Sequence, residues 1–241
     1  MENLLEEYFD RLFFLNRSIT GKDYRKSLDI LSEILPFKYF DFKSGSKSFD
    51  WVVPNEWNVE DAYIVTPSGK KIAEFKKNNL HLMGYSIPLN KKISFNKLKS
   101  HLHYLKELPN AVPYVTSYYK KEWGFCISFN EYKRIPKKGL YKVVIKSSLK
   151  KGILRIGTFT IPGKSKKEIL LSSYLCHPST ANNELSGPLM LLSLYKLLKK
   201  EKKLNYTIRF VICPENIGSI TVLKKIGKYF KKNTIAGFVV T

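Results

Sequence analysis

The chain has 241 residues, 44% of them hydrophobic, and carries 42 Lys and Arg against 20 Asp and Glu for a formal net charge of +22. That length and apolar content support one large or two modest domains with a sizeable core. No apolar run approaches the roughly 20 residues of a bilayer span, and the acidic start Met1-Glu2-Asn3-Leu4-Leu5-Glu6-Glu7 is unlike a signal peptide, so a cytoplasmic protein without a transmembrane segment is expected.

The charge admits a polyanionic partner, either nucleic acid, an acidic glycan or a membrane surface. Arg, however, occurs only at positions 11, 17, 25, 134, 155 and 209, so 36 of the basic residues are Lys, scattered through every segment. Specific phosphate or base recognition favours the bidentate fork of Arg. The pattern therefore favours a solvated lysine-rich surface over a nucleic-acid site.

In chain order, Leu4, Leu5, Tyr8, Phe9, Leu12 and Phe13 have helical spacing, and a second helix over about 23–35 ends before Pro36. The intervening Arg17-Ser18-Ile19-Thr20-Gly21 reads as a capped loop. From about Phe49 to Ile145 short strand-like runs alternate with turn signals, and Pro67-Ser68-Gly69-Lys70 between two alternating runs predicts a hairpin turn. Three organisational blocks follow: N-terminal helices over 1–48, a β-rich inserted module over 49–145, and an α/β domain over 146–241. No internal repeat or low-complexity tract is present.

His81, His101 and His103 lie in the β-rich block. On a strand, His101 and His103 would share a face, as some metal pairs do, but the surrounding residues read as helical, where that spacing diverges, and no acidic or Cys ligand is near. A structural or surface role is expected. Trp51, Trp57, Tyr118, Tyr119 and Trp123 read as core, with a sugar- or peptide-binding face as the alternative. Cys126, Cys176 and Cys213 are far apart and embedded in apolar runs, as free buried thiols in a reducing compartment would be.

The α/β block begins with an apolar run over 168–175 that ends abruptly at Cys176-His177-Pro178-Ser179, followed by an amphipathic helix over 184–200. Asn182 or Asn183 is placed to cap that helix, and Pro188 falls in its first turn. A second buried strand, Tyr206 to Cys213, runs straight into Pro214-Glu215-Asn216-Ile217-Gly218-Ser219 and a helix over 217–231. A third apolar run spans 235–240. Alternating strand and helix imply parallel pairing with crossovers, and ligands in such sheets bind beyond the strands' carboxyl ends. If the first two strands are neighbours, His177 and Glu215 lie on one rim.

Cys176-His177-Pro178-Ser179, Asn182-Asn183-Glu184-Leu185-Ser186-Gly187-Pro188 and Pro214-Glu215-Asn216-Ile217-Gly218-Ser219 resemble the bacterial aminopeptidase-like family, related to the co-catalytic zinc aminopeptidases and often associated with surface-polysaccharide gene clusters. The stretches 16–21, 49–57, 114–119 and 123–126 fit the same family, so the resemblance covers essentially the whole chain. It implies a zinc-exopeptidase-like α/β fold, a mixed or parallel sheet flanked by helices, with an inserted β-rich module.

Residue by residue, the resemblance makes His177 the first metal ligand and puts a metal-bridging carboxylate at Asn183. Here the pair is Asn183-Glu184 where zinc peptidases have an Asp followed by Asn. Neutral Asn does not offset the repulsion of two cations, which leaves Glu184 as a substitute ligand or a single bound metal. Glu215 resembles the Glu of the acidic motif in which zinc peptidases have adjacent Glu residues as general base and ligand; here there is only one, so it cannot fill both roles, and Arg17 borders the cleft as a candidate contact to a substrate carboxylate. Further Asp and His ligands are expected from beyond the third strand, so the resemblance marks the chain as a truncated or split member whose zinc site, of one or two ions, has an incomplete ligand set. An uncovered final strand would also favour a homo-oligomer.

Two functions remain open on these grounds. One is a metal-dependent hydrolase of peptide or amide bonds in a small substrate, tied to polysaccharide biosynthesis. The other is a non-catalytic, degenerate aminopeptidase fold that binds an anionic glycan or a protein partner.

Overall fold

The protein is described from a computed structural model covering residues 2–241; Met1 lies outside the described residues. The chain divides into two compact units, one formed by residues through Glu56 together with Lys151–Thr241, the other by Trp57–Lys150.

The first unit opens with helices α1 (Glu2–Phe13) and α2 (Lys22–Ser32), then strand β1 (Lys38–Lys43) and a short hairpin of β2 (Lys47–Ser48) and β3 (Trp51–Val52). The second unit contains β4 (Glu56–Val65), β5 (Lys71–Ile72), β6 (Leu89–Ser94), the short helix α3 (Phe95–Leu98), β7 (Leu102–His103), β8 (Phe125–Cys126), α4 (Phe129–Arg134) and β9 (Leu140–Lys150). The chain then returns to the first unit with β10 (Ile153–Ile161), β11 (Ser165–Tyr174), α5 (Ser186–Leu198), β12 (Tyr206–Cys213), α6 (Ile217–Asn233) and β13 (Thr234–Val239).

Five strands of the first unit form a mixed sheet in the order β1-β10-β12-β11-β13. β11 runs parallel to both β12 and β13, whereas β10 runs antiparallel to β12 and to β1. The period-two alternation of strand side chains separates the two faces of the sheet. Leu171 of β11 and Ile208, Phe210 and Ile212 of β12 join Leu12 of α1, Leu28 and Leu31 of α2 and Leu192 of α5 in one buried cluster. Phe159 of β10 stacks on Phe210 with ring centroids 4.6 Å apart. The alternate residues Leu170, Ser172 and Tyr174 face Val222 and Phe230 of α6 across a cavity on the other side. Helices thus flank both faces, as an α/β sheet requires if it is to bury its apolar strands.

In the second unit, four strands take the order β5-β4-β9-β6. The predicted hairpin joins β4 to β5: Ile64 pairs with Ile72, Thr66 N–H donates to the Lys70 carbonyl (2.9 Å), and Gly69 supplies the left-handed residue at φ 85°. Trp57 stacks on Tyr85 at 5.6 Å and donates its indole N–H to the Ser86 carbonyl at 3.0 Å, so Trp57 is core as expected, whereas Trp51, Tyr118 and Trp123 are half-buried and Tyr119 is exposed, against the expectation. His101 and His103 straddle a turn into β7; His101 stacks on Trp123 at 3.7 Å and bonds the Trp123 carbonyl through Nδ1.

One local expectation is corrected. Neither Asn182 nor Asn183 caps α5, because a wide π-type turn over Ala181–Leu185 runs continuously into that helix. Its Ala181 carbonyl already accepts the Ser186 N–H at the start of α5, and Asn183, at φ −98° and ψ 34°, forms a non-helical kink within the turn.

Candidate metal centre

β11 and β12 end side by side, with Tyr174 in register with Cys213. Three residues beyond the first end stands His177, and two beyond the second stands Glu215. Both loops bend sharply: Ser179 has φ 48° and Asn216 has φ 54°, left-handed values that are uncommon for residues other than Gly and that concentrate at functional sites. The bend at Asn216 lets α6 start at once, which holds Glu215 at the rim.

The wide turn folds Glu184 back beneath the first loop. Its carboxylate is fully buried and accepts three donors: the Cys176 N–H at 2.6 Å, the Cys176 thiol at 3.7 Å and His177 Nδ1 at 2.9 Å. On the opposite side of the imidazole, Nε2 lies 3.2 Å from Glu215 Oε2, and the Glu215 side chain is 42% exposed. The ring is therefore held between one buried and one accessible carboxylate. With Nδ1–H committed to Glu184, Nε2 is the nitrogen presented to the cleft.

Cys176 serves this arrangement from inside. Its sulfur accepts the Glu215 N–H at 3.3 Å, and burial, reinforced by the charge of Glu184, pushes its thiol pKa well above the ordinary range. A protonated, hydrogen-bonded thiol is a poor nucleophile, which argues against a Cys176–His177 dyad. Asn183 is held apart, its Oδ1 accepting from the Tyr174 hydroxyl, which in turn lies 2.9 Å from Thr241 Oγ1.

Arg17 is buried, 1% exposed. Its Nε donates to the His177 carbonyl at 3.1 Å and its Nη1 to the Leu12 carbonyl, while Nη2 has no partner among the described residues. Ser179 N–H donates to the Phe13 carbonyl at 3.2 Å. The carboxyl end of α1, with its orphan carbonyls, is thereby stitched to the His177 loop, and the guanidinium sits where the helix dipole favours a cation. Burial lowers its pKa to about 10 against the opposing pull of Glu184.

Sequence reasoning placed His177 and Glu215 on one rim and, through the family resemblance, offered Glu184 as a substitute for Asn183 as ligand. It did not assign the supporting roles of Cys176 and Tyr174; the abrupt end of β11 at these residues was the available signal. Among the described residues, Cys176, His177 and Glu184 form the one group whose donor atoms lie within 4.8 Å of one another. That inner set is closed by its own hydrogen bonds. On the outer side, the 3.2 Å between His177 Nε2 and Glu215 Oε2 matches the edge of about 3.4 Å expected for a zinc tetrahedron with bonds near 2.1 Å. The imidazole and carboxylate donors and their spacing fit a zinc ion there.

A cavity of about 350 Å³ opens beside Glu215, walled largely by apolar residues including Val211, Val222, Phe230 and Val239.

This sheet, with its rim of His and Glu at the carboxyl ends of two parallel strands, defines an aminopeptidase-like α/β protein. A Bacillus subtilis zinc aminopeptidase superposes over 98% of the chain and 68% of its own length with a TM-score of 0.61 at 12% identity. A peptidase M28 precursor from Shewanella amazonensis does so over 97% and 69% with a TM-score of 0.59, also at 12%. The chain belongs to the family described as Domain of unknown function (DUF4910), which matches residues 6–241. A Clostridium acetobutylicum relative, provisionally named as a polysaccharide biosynthesis protein with an aminopeptidase-like domain, is 44% identical over 239 residues, 99% of this chain and 54% of the relative. The crystal structure of a protein from that organism, provisionally described as a peptidase, matches 98% of the chain and 56% of its own length with a TM-score of 0.93 at 42% identity. The chain thus spans about half the length of these relatives. No helix among the described residues is long and apolar enough to cross a membrane.

Proposed function

We propose that the chain carries the metal-binding rim of an aminopeptidase-like hydrolase of peptide or amide bonds, with a single zinc ion held by His177 Nε2 and Glu215. The observation that carries this is the Glu184–His177–Glu215 alignment, with contacts of 2.9 and 3.2 Å on the two ring nitrogens. Zinc bound there would polarise a scissile carbonyl and acidify a bound water.

In this reading Glu184 is a positioning residue that fixes the imidazole's tautomer, and the accessible Glu215 carboxylate is the second ligand. Neutral Asn183, engaged by Tyr174, does not supply the bridging charge that a second ion needs. The apolar cavity beside Glu215 suits an apolar group next to the cleaved bond. The name of the Clostridium relative supports a setting in polysaccharide biosynthesis.

The test is metal content by inductively coupled plasma mass spectrometry on protein purified without a metal-affinity tag. Wild type is expected to hold about one zinc per chain, lost in both His177→Ala and Glu215→Ala. Metal-free wild type, or unchanged metal in His177→Ala, overturns the reading. It would leave the second one, a non-catalytic binding fold, to which the engaged and uncharged Asn183 already points.

A further inference from the structure

Of the six Arg residues, five are committed inside the first unit. Arg11 pairs with Glu33 at 2.5 Å, Arg25 with Glu56 at 2.5 Å, Arg155 with Asp41 at 2.8 Å and Arg209 with Glu168 at 2.8 Å, while Arg17 is buried on backbone carbonyls. Arg134 is the exception: it is exposed, and no carboxylate lies within ion-pair distance of it among the described residues. It stands on the wall of a cavity of about 640 Å³ that lies wholly within the second unit.

The cavity is framed by the hairpin turn at Lys70, the stretch that follows β5 and both ends of α4. Four basic side chains line it against two carboxylates. Lys77 is neutralised by Glu74 at 2.6 Å and Lys71 lies 4.4 Å over the Tyr63 ring, which leaves Lys70 and Arg134 as the lining cations without a partner among the described residues. His81, on the same wall, commits Nδ1 to the Cys126 carbonyl at 2.7 Å, so Nε2 remains for a ligand.

The rest of the lining suits a polyol. Asn130 donates to Asn110 Oδ1 at 2.7 Å, which leaves the Asn110 amide N–H groups and Asn130 Oδ1 for hydroxyls. Ile72, Ala73 and Pro136 supply apolar wall against which a sugar ring can lie. Ala73 is held at φ 48°, a strained value for a residue with a Cβ, at this same wall.

We propose that this cavity is a binding site for a saccharide bearing an oxyanion, either a carboxylate or a phosphate, with the Arg134 fork and Lys70 on the anion and His81, Asn110 and Asn130 on hydroxyls. A guanidinium without a carboxylate partner recognises such groups bidentately, and an ammonium lining the same cavity adds to the attraction. The site shares no residue with the His177 rim and does not depend on hydrolytic activity.

The test is isothermal titration calorimetry at fixed ionic strength with D-glucuronate, α-D-glucose 1-phosphate, D-glucose and inorganic phosphate. At least one sugar acid is expected to saturate, at least about tenfold more tightly than glucose or inorganic phosphate. Which of the two acids binds identifies the anion. Arg134→Ala and Lys70→Ala should each weaken binding by about tenfold or more, Arg134→Lys less, and His177→Ala not at all. Near-ultraviolet circular dichroism checks that the variants stay folded; both side chains are exposed, and Lys70→Ala decides if Arg134→Ala does not fold. Saturation by neither acid, inorganic phosphate binding as tightly as the sugar acid, or wild-type affinity in the folded variants overturns the proposal.

Discussion

Replacing Glu184 with Gln exchanges one oxygen for an NH2 group and keeps the side chain's shape. In the protein the two oxygens accept from the Cys176 N–H at 2.6 Å and from His177 Nδ1 at 2.9 Å. A Gln amide must turn its NH2 towards one of these donors. Facing the Cys176 N–H sets donor against donor with no proton to move. Facing Nδ1 can be accommodated, because the imidazole can carry its proton on Nε2 instead. Nε2–H would then point at Glu215 Oε2, and the lone pair offered to a metal would be gone. The lost charge-assisted bond costs about 1.5–3 kcal/mol, and removing such a support of a ligating His lowers metal affinity by about 10–100-fold. Zinc competition against a chromogenic chelator measures that affinity, and long-range ¹H–¹⁵N correlation of the ring reads the tautomer directly. Affinity within about twofold of wild type, or an Nδ1–H tautomer retained in the folded variant, refutes the positioning role. A loss as complete as that of His177→Ala refutes it from the other side, by making Glu184 itself a ligand.

The three thiols are all free and buried, and burial pushes Cys126 and Cys213 up to about 12. At pH 8 on the order of one in 10,000 of either is ionised, so a disulfide reagent should label none in native protein and all three in urea. Rapid native labelling refutes this. Because the folded values lie above the unfolded one of about 8.5, the protonated thiols favour the fold fully below that pH, and stability is lost as pH climbs from about 8.5 towards 12, by up to about 1.4 kcal/mol per unit per thiol; a urea midpoint that stays flat between pH 8 and 10 would count against it. Glu168 is fully buried and accepts from Arg209 at 2.8 Å and Tyr229 at 3.2 Å, so Glu168→Ala strands a mostly buried guanidinium and should cost about 3–5 kcal/mol in urea unfolding, a cost under 1 kcal/mol being incompatible with that role. Arg17→Met removes the guanidinium bonds to the Leu12 and His177 carbonyls, the first of which still accepts the Leu15 N–H at 3.2 Å, and should cost about 1–3 kcal/mol in all and weaken zinc binding as well; lost stability with unchanged zinc affinity would confine Arg17 to the fold.

How far the sequence discloses this molecule depends on how local each feature is. β12 is legible end to end, since Tyr206–Cys213 is a short apolar run flanked by polar residues, as a strand covered on both faces must be. The parallel pairing of β11 and β12, and hence the meeting of His177 and Glu215, follows from alternating strand and helix. The antiparallel half of the sheet is not legible in that way. β1 reads Lys38-Tyr39-Phe40-Asp41-Phe42-Lys43, an edge strand whose charged ends mask its apolar centre, and β10 is broken by Gly157-Thr158 and finds its partner about fifty residues later. Nothing in either segment announces a neighbour so distant along the chain, and so three strands were foreseen where five form one sheet.

The role of Glu184 was hidden for a different reason. It lies seven positions after His177, and in an ordinary helix start the carboxylate would project with the first turn, beside Asn183 and open to the cleft. The π-type turn over Ala181–Leu185 adds the extra residue that rotates Glu184 underneath the loop, where it meets Nδ1 of His177 and the Cys176 N–H instead. The same rotation leaves Asn183 outside, against Tyr174. A neutral residue at the outer position and a buried carboxylate at the inner one are therefore two consequences of one backbone irregularity. It reads as a change from shared ligation of two ions to firm orientation of a single imidazole, and the Glu184→Gln measurement bears on both at once.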